Sequence, residues 1–244
     1  MTTPNTNLPS RLWQFTIISL GLPLTVLAST QVVSQGNWVW LWLALSVALT
    51  SSLGTRISLR GLGLGGMTIT ASDCVTLMVL ILLNIWVAVL LAVVDATVVV
   101  LKMRVRRLDR RLFNLSQMAV TAFVAGLFFN WLQLKLAHLE VSWALWLTAI
   151  FLTGLLYYLT NFTLITVAMV LHSGESLSAI WIGNLPSLSP TIILNLVAGV
   201  GFFSPLIVPG SSYLIWALLL GSAGLVFSLF YSRRLAGERL AILT

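Results

Sequence analysis

One carboxylate, Asp95, is unusual because it lies within a long apolar run, LLAVVDATVVVL, that contains no other charged side chain. A charged group inside a membrane-spanning segment is costly, and it commonly marks a ligand site, a proton site or a contact between helices. Two interpretations stay open for Asp95: a hydrogen bond to a neighbouring helix, or a site for a ligand or proton. In either case we predict that Asp95 faces the interior of the protein, with Asn161 as its first-choice partner.

Four more residues place polar groups in apolar surroundings. Asn114 and Gln117 are three positions apart and therefore share one face of a helix. Such amides typically form hydrogen bonds between membrane helices. Tyr157 and Asn161 lie near the midpoint of another apolar stretch, where they either line a cavity or bond to a neighbouring helix. With Asp95, these four form our set of candidate ligand-binding or intramembrane polar residues.

The sequence motifs do not indicate a catalytic site, a cofactor site or a metal site. The segment GLGLGG at 61–66 matches G-x-G-x-x-G, but a dinucleotide site needs a strand before it, a helix after it and an acidic residue about 20 positions further on. Asp73 follows too soon. The two histidines, His138 and His172, are distant in sequence and accompany a single cysteine, so no metal-ligand cluster is expected. No nucleophile has a base in a recognisable motif, and we expect neither enzyme activity nor a cofactor.

Basic residues cluster in one short segment. Six of them fall within ten positions: Lys102, Arg104, Arg106, Arg107, Arg110 and Arg111. Cytoplasmic loops of membrane proteins are enriched in such residues, and clusters beside a span contact anionic lipid head groups. We therefore predict lipid head-group contact at all six positions. Nucleic acid is not an expected partner, because no folded soluble face surrounds the cluster.

The composition indicates which class of protein positions these residues. Of 244 residues, 59% are apolar and 8% are charged, and the mean hydropathy is +1.02. A soluble domain carries about 25% charged residues, so an ordinary cytosolic enzyme and a disulfide scaffold are excluded. We predict one integral membrane domain over 1–244. Residues 1–11 are its cytoplasmic N-terminus, 12–231 its helix bundle and 232–244 a cytoplasmic helical tail.

Apolar segments predict the helices of this bundle. Six segments are simple: 12–28, 38–53, 112–132, 143–171, 190–203 and 213–231. The stretch 71–101 is too long for one span, and a hairpin that breaks near Asn84–Ile85 places all of the 13 basic residues except Lys135 on one side. The positive-inside rule favours this hairpin. The prediction is an all-α polytopic bundle of about eight helical segments, two of them short, with both termini cytoplasmic; a single crossing would give seven.

Several of these segments resemble a family of bacterial membrane-integral sensor regions. The likeness rests on LILLNIWVAVLLAVVD at 80–95 with the basic loop after it, on RLFNLSQ at 111–117, on LYYLTN at 156–161 and on SGESLSAIW at 173–181. It covers about 57–234. One departure is Asn84-Ile85, where such regions often carry Gly-Pro. In that family the region precedes a diguanylate cyclase, a phosphodiesterase or a histidine kinase.

The resemblance implies a sensory or regulatory module of the bacterial inner membrane that relays a small or lipidic signal. Only five residues follow Arg239, so it also implies that the module is truncated, is encoded separately from its output domain, or acts through a partner. The expected partners are the bilayer, a cytoplasmic signalling protein and a second copy of the chain. The short hairpin also looks like the substrate-binding subunits of vitamin transporters, which is the alternative function.

Overall fold

The computed structural model describes residues 8–36, 38–52, 55–58, 66–69, 72–136, 143–182 and 193. Six helices and two strands follow one another in the chain: α1 (Leu8–Ser34), α2 (Val39–Ser52), β1 (Thr55–Ser58), β2 (Gly66–Ile69), α3 (Ser72–Leu82), α4 (Ile85–Lys102), α5 (Leu108–Leu136) and α6 (Trp143–Ser173). A short helical segment at 177–182 comes after α6. The helices expected at 190–203 and 213–231 lie outside the described residues, except for residue 193, and so does the expected tail at 232–244.

Long apolar helices dominate the fold, as the composition predicts. Four described helices are long and apolar enough to cross a membrane: α1, α4, α5 and α6. α2 and α3, with 14 and 11 residues, are shorter than the roughly 20 residues that a span needs. The prediction of a helical multi-pass protein is therefore confirmed. The described residues contain fewer than eight helical segments.

Two short strands between α2 and α3 add a feature that the all-α prediction did not include. β1 and β2 form an antiparallel pair in which Thr55 lies opposite Ile69 and Ser58 opposite Gly66. The GLGLGG segment joins these two strands, and its last glycine, Gly66, begins β2. A dinucleotide site would need this segment to lead from a strand into a helix, so the structure agrees with the rejection of that motif.

The hairpin of α3 and α4 turns where the charge distribution predicted. α3 ends at Leu82, and α4 begins at Ile85. Asn84 is the N-cap of α4, with extended backbone, and its side chain accepts a hydrogen bond of 2.9 Å from the Val87 backbone N–H. Asparagine is among the best N-cap residues because its carbonyl satisfies one of the free N–H groups of the first turn. Only two residues therefore separate the end of α3 from the start of α4.

α5 packs closely against α1 and α4 through small residues. Ala119, Ala122 and Ala125 of α5 are completely buried. Gly21 of α1 lies against Ser116, and a Cβ atom there would overlap the backbone of α5. Such small residues let membrane helices approach closely and gain van der Waals contact.

Two hydrogen bonds define the first end of the bundle, which we call the basic end. Lys102 Nζ donates to the Ser52 carbonyl at 2.6 Å, so α2 and α4 both finish there. Trp13 Nε1 donates to the Leu164 carbonyl at 3.3 Å, which places the start of α1 beside the later half of α6.

The opposite end, which we call the Asn84 end, contains the turn between α3 and α4. Asn84 Nδ2 donates there to Gln35 Oε1 at 3.3 Å. Within the described helices and the loop before α5, Lys135 belongs to this end. The other basic residues in these segments belong to the basic end, as predicted: Arg11, Lys102, Arg104, Arg106, Arg107, Arg110 and Arg111.

Candidate functional site

A polar cavity of about 80 Å³ lies between the helices in the half of the bundle nearer the basic end. Its polar lining consists of Asp73, Asp95, Asn114, Gln117 and Asn161. Its apolar lining consists of Ala96, Val99, Met118 and Ile165. Four of the five residues chosen from the sequence therefore line one cavity. The fifth, Tyr157, is completely buried and reaches the cavity through a hydrogen bond to Asp73.

Asp95 faces the interior of the protein, as predicted, and is 5% exposed. Its Oδ1 accepts hydrogen bonds from the hydroxyl of Ser51 and, at 2.5 Å, from the hydroxyl of Ser72. These donors belong to the last turn of α2 and the first residue of α3, whereas we expected donors from α5 or α6. Asn161, the expected first-choice partner, lines the same cavity.

Helix length explains why Ser72 meets Asp95. α3 has 11 residues and Asp95 is the eleventh residue of α4, so both groups lie about 16 Å from the Asn84 turn. The hydrocarbon core of a bilayer is about 30 Å thick. If the Asn84 turn lies at one membrane surface, the cavity lies near mid-depth.

Asp73 is the second carboxylate of the cavity, and our sequence reasoning missed it. It occupies the first turn of α3, where a negative charge interacts favourably with the helix dipole, and it is 5% exposed. Tyr157 of α6 donates a hydrogen bond of 3.2 Å to its Oδ1. One signal in the sequence was available: Asp73 begins an apolar stretch whose hairpin partner contains Asp95.

Gln117 and Asn161 join α5 to α6. The Gln117 side-chain amide donates to Asn161 Oδ1 and lies 3.4 Å from the Asn161 backbone carbonyl. Gln117 therefore makes the interhelical hydrogen bond that its position predicted. Asn114, one turn earlier on α5, lines the cavity and is half-buried.

The cavity size limits what it can hold. A water molecule needs roughly 10–15 Å³ of such volume, and drug-sized ligands occupy pockets of about 300–1,000 Å³. A cavity of about 80 Å³ thus fits a few water molecules or a small polar species. Because its lining comes from α3, α4, α5 and α6, anything bound there contacts four helices at once.

The six predicted lipid-contact residues are all exposed at the basic end. Lys102 bonds to the Ser52 carbonyl, and Arg111 Nε donates to the Val105 carbonyl. Arg107 forms an ion pair of 2.6 Å with Asp109.

A search against protein-family models matches residues 15–235 to the family MASE9. The chain belongs to the MASE9 family. MASE families are membrane-associated sensory domains typical of bacterial signalling proteins. No curated protein and no solved structure matches the chain.

The MASE9 match confirms the resemblance to a membrane sensor region and extends it. Our resemblance began near residue 57, whereas the family match begins at residue 15 and so includes most of α1 and the whole of α2. Ser51 of α2 donates to Asp95. In this MASE9 chain, α2 thus supplies a hydrogen bond to a cavity residue, although α2 precedes the segments on which the resemblance rested.

A second cavity of the MASE9 chain, about 220 Å³, lies at the Asn84 end. Gln35, Trp40 and Asn84 line it together with apolar residues of α1 to α4. No sequence pattern pointed to it, because its lining comes from helix ends that are distant along the chain.

Proposed function

We propose that this chain is a sensory module of a bacterial inner membrane that relays a small or lipidic signal to a cytoplasmic output domain or partner protein. The relay needs no reaction at the polar cavity, and the proposal includes no catalytic residue and no resident cofactor. Membership of a sensory family supports the module's role and lends no support to the transporter alternative.

The observation that carries the proposal is the polar cavity, which four helices line, together with the hydrogen bonds that join its residues to one another and to α2. Ser51, Ser72, Asp95, Gln117 and Asn161 make side-chain hydrogen bonds that connect α2 to α4, α3 to α4 and α5 to α6. Polar side chains within a membrane bundle are costly unless they are satisfied by one another or by a ligand. A signal that changes this network changes how the helices pack.

Relay requires that the bundle have two arrangements whose balance the signal shifts. The hydrogen bonds at the cavity are few and specific, so one new contact there can favour a different set. The helices α4, α5 and α6 extend from the cavity to the basic end. A small movement of these helices at the cavity therefore also moves their ends at the basic end, which we assign to the cytoplasm.

The test uses the full chain with a diguanylate cyclase fused after Thr244. The junction is lengthened one residue at a time, and cyclase output is measured for each length. We expect output to vary with helical phase, and Asp95→Asn to shift the output of the active fusions. Output that ignores both phase and Asp95→Asn would contradict the sensory proposal.

A matched pair of variants separates the cavity from general effects on α5. Gln117→Leu removes a cavity amide, whereas Gln133→Leu removes the same group from the later part of the same helix, outside the cavity lining. We expect the first substitution to change cyclase output and the second to leave it unchanged. Equal effects would show that the cavity has no special role.

The proposed orientation places the basic end and both termini in the cytoplasm. It rests on the separation of Lys135 from the other basic residues of the described helices and on the positive-inside rule. Alkaline phosphatase is active only outside the cytoplasm, so we expect a fusion after Lys135 to be active and a fusion after Val105 to be inactive. The reverse pattern would overturn the orientation.

A further inference from the structure

We infer that the segment Lys102–Arg111, here called the basic segment, is a binding surface for anionic phospholipid, and that lipid bound there acts on the polar cavity through the last turn of α2. If lipid acts on the cavity, the signal of the proposed sensory module is an anionic phospholipid. This part of the inference rests on the proposed function. The lipid binding itself does not.

The charge of the basic segment favours binding of phosphate. The basic segment carries six cations and one carboxylate, Asp109, which is paired with Arg107. Arg111 and Lys102 are directed onto backbone carbonyls. Arg104, Arg106 and Arg110 are exposed. Guanidinium groups bind phosphate in a bidentate manner, so these three present a phosphate-binding surface.

Apolar neighbours favour a lipid as the source of that phosphate. Leu101 and Leu108, which flank the loop between α4 and α5, are 64% and 67% exposed. A surface that alternates large apolar side chains with arginine is typical of the membrane interface, where the chains meet acyl groups and the cations meet phosphates. A free phosphate ion gives the leucines nothing to contact.

The link to the cavity runs through two adjacent serines. Ser51 donates its hydroxyl to Asp95, and the carbonyl of Ser52 accepts from Lys102. Asp95 and Lys102 are seven residues apart on α4, about two helical turns, and so lie on the same face. The end of α2 is therefore held at two points, one in the cavity and one in the basic segment.

A lipid phosphate would act on the second of these points. The phosphate is an ionised acceptor and forms stronger hydrogen bonds to an ammonium group than a neutral carbonyl does. When Lys102 turns towards a phosphate, Ser52 loses its bond and the last turn of α2 loosens. Ser51 belongs to that turn, so its bond to Asp95 weakens as well.

Lipid selectivity is the first measurement. The full chain is placed in phosphatidylcholine nanodiscs that contain spin-labelled phosphatidylglycerol or spin-labelled phosphatidylcholine, and the fraction of motionally restricted lipid is recorded. We expect preference for phosphatidylglycerol in the unmodified chain. Each cation near an anionic surface contributes about 1 kcal/mol, which is roughly five-fold, so Arg104→Gln, Arg106→Gln and Arg110→Gln together should lower the preference at least five-fold. Lys135→Gln is the control: it removes one cation at the Asn84 end and should lower the preference much less than the triple variant.

Hydrogen exchange of the last turn of α2 is the second measurement. We expect phosphatidylglycerol to speed exchange in the peptide that contains Ser51 and Ser52. In Lys102→Met, which keeps the apolar stem, exchange should be fast already and the lipid should add no further change. Arg106→Gln removes the same charge but leaves the hydrogen bond between Lys102 and Ser52 in place, and it should keep the lipid response.

Each contrary result overturns a defined part of the inference. Equal restriction of the two spin-labelled lipids, or displacement of phosphatidylglycerol by inorganic phosphate, would exclude a lipid surface. If the triple arginine variant abolishes cyclase output without changing lipid preference, the surface serves an acidic protein partner. Selective lipid binding with unchanged exchange at Ser51 and Ser52 would remove the coupling. A cyclase fusion that ignores the cavity variants would contradict the proposed function alone, since lipid preference has its own readout.

Discussion

The two halves of the bundle differ in how many hydrogen bonds join their helices, although α5 passes through both. In the half near the basic end, hydrogen bonds such as those of Asp95 and Gln117 connect the helices. In the half near the Asn84 end, α5 presents Ala122, Ala125 and Gly126 to its neighbours, and packing dominates. Close packing thus extends along both halves of α5, since Gly21 lies against Ser116 in the half near the basic end, whereas hydrogen bonds between buried side chains of different helices are concentrated in that half, where a signal could change them.

The largest expected effect is that of Gly21→Ala. The added methyl group would overlap the backbone of Ser116, which cannot move without displacing α5. Overpacking typically costs 1–3 kcal/mol, and an obstacle made of backbone belongs at the upper end, about 3 kcal/mol. Thermal unfolding of the purified chain in detergent measures the loss. An unchanged melting temperature would show that α1 and α5 are further apart than described.

The next effect concerns the amide side chains of Gln117 and Asn161, in the half near the basic end. Gln117→Ala leaves the buried side-chain carbonyl of Asn161 without its donor, at a cost of about 2 kcal/mol. A double-mutant cycle with Asn161→Ala isolates the pair, and such bonds between membrane helices are worth roughly 0.6–1.7 kcal/mol. Gln133→Ala serves as the control. A coupling energy near zero would remove the distinction between the two halves.

A smaller effect is expected for Gly126→Ala in the half near the Asn84 end. Here the added methyl group meets the side chain of Ile85 rather than backbone, and a side chain can shift, so we expect a cost of about 1 kcal/mol. Combining it with Ile85→Val should give a loss smaller than the sum of the two single losses, because the substitutions share one space. Strict additivity would mean that Gly126 is not packed on Ile85.

The smallest effect is expected outside both halves. Arg107 and Asp109 are 48% and 41% exposed, and their ion pair is open to solvent. Exposed pairs contribute about 0–1 kcal/mol, so Asp109→Asn should change the melting temperature little, in low and in high salt alike. A loss as large as that of Gly21→Ala would mean that the basic segment is part of the packed structure.

Sequence reasoning predicted the helices and the α3–α4 turn because those depend on features spread along the chain. Apolar length identified the long helices, and the positions of the basic residues required a turn near Asn84. It also selected Asp95, Asn114, Gln117, Tyr157 and Asn161, because polar residues are conspicuous in apolar runs.

The partners of these residues could not be predicted in the same way. Ser51 and Ser72 are ordinary residues at helix ends, and they meet Asp95 only because α2 ends and α3 begins at its level. The relative height of two helices depends on their lengths and packing, not on local sequence. For the same reason the pairing of β1 with β2 was not predicted.

The shortness of α3 has a consequence for the biogenesis of the protein. An apolar helix of 11 residues is below the roughly 17 residues needed to cross the bilayer, so the insertion machinery has little reason to retain it as an independent segment. α4, a predominantly apolar helix of 18 residues, is long enough. We therefore expect α3 to enter the membrane together with α4, after α4 has left the ribosome, and Asp73 to stay in water until then. The polar cavity is assembled late, when the two arms of the hairpin bring Asp73 and Asp95 in from the same side.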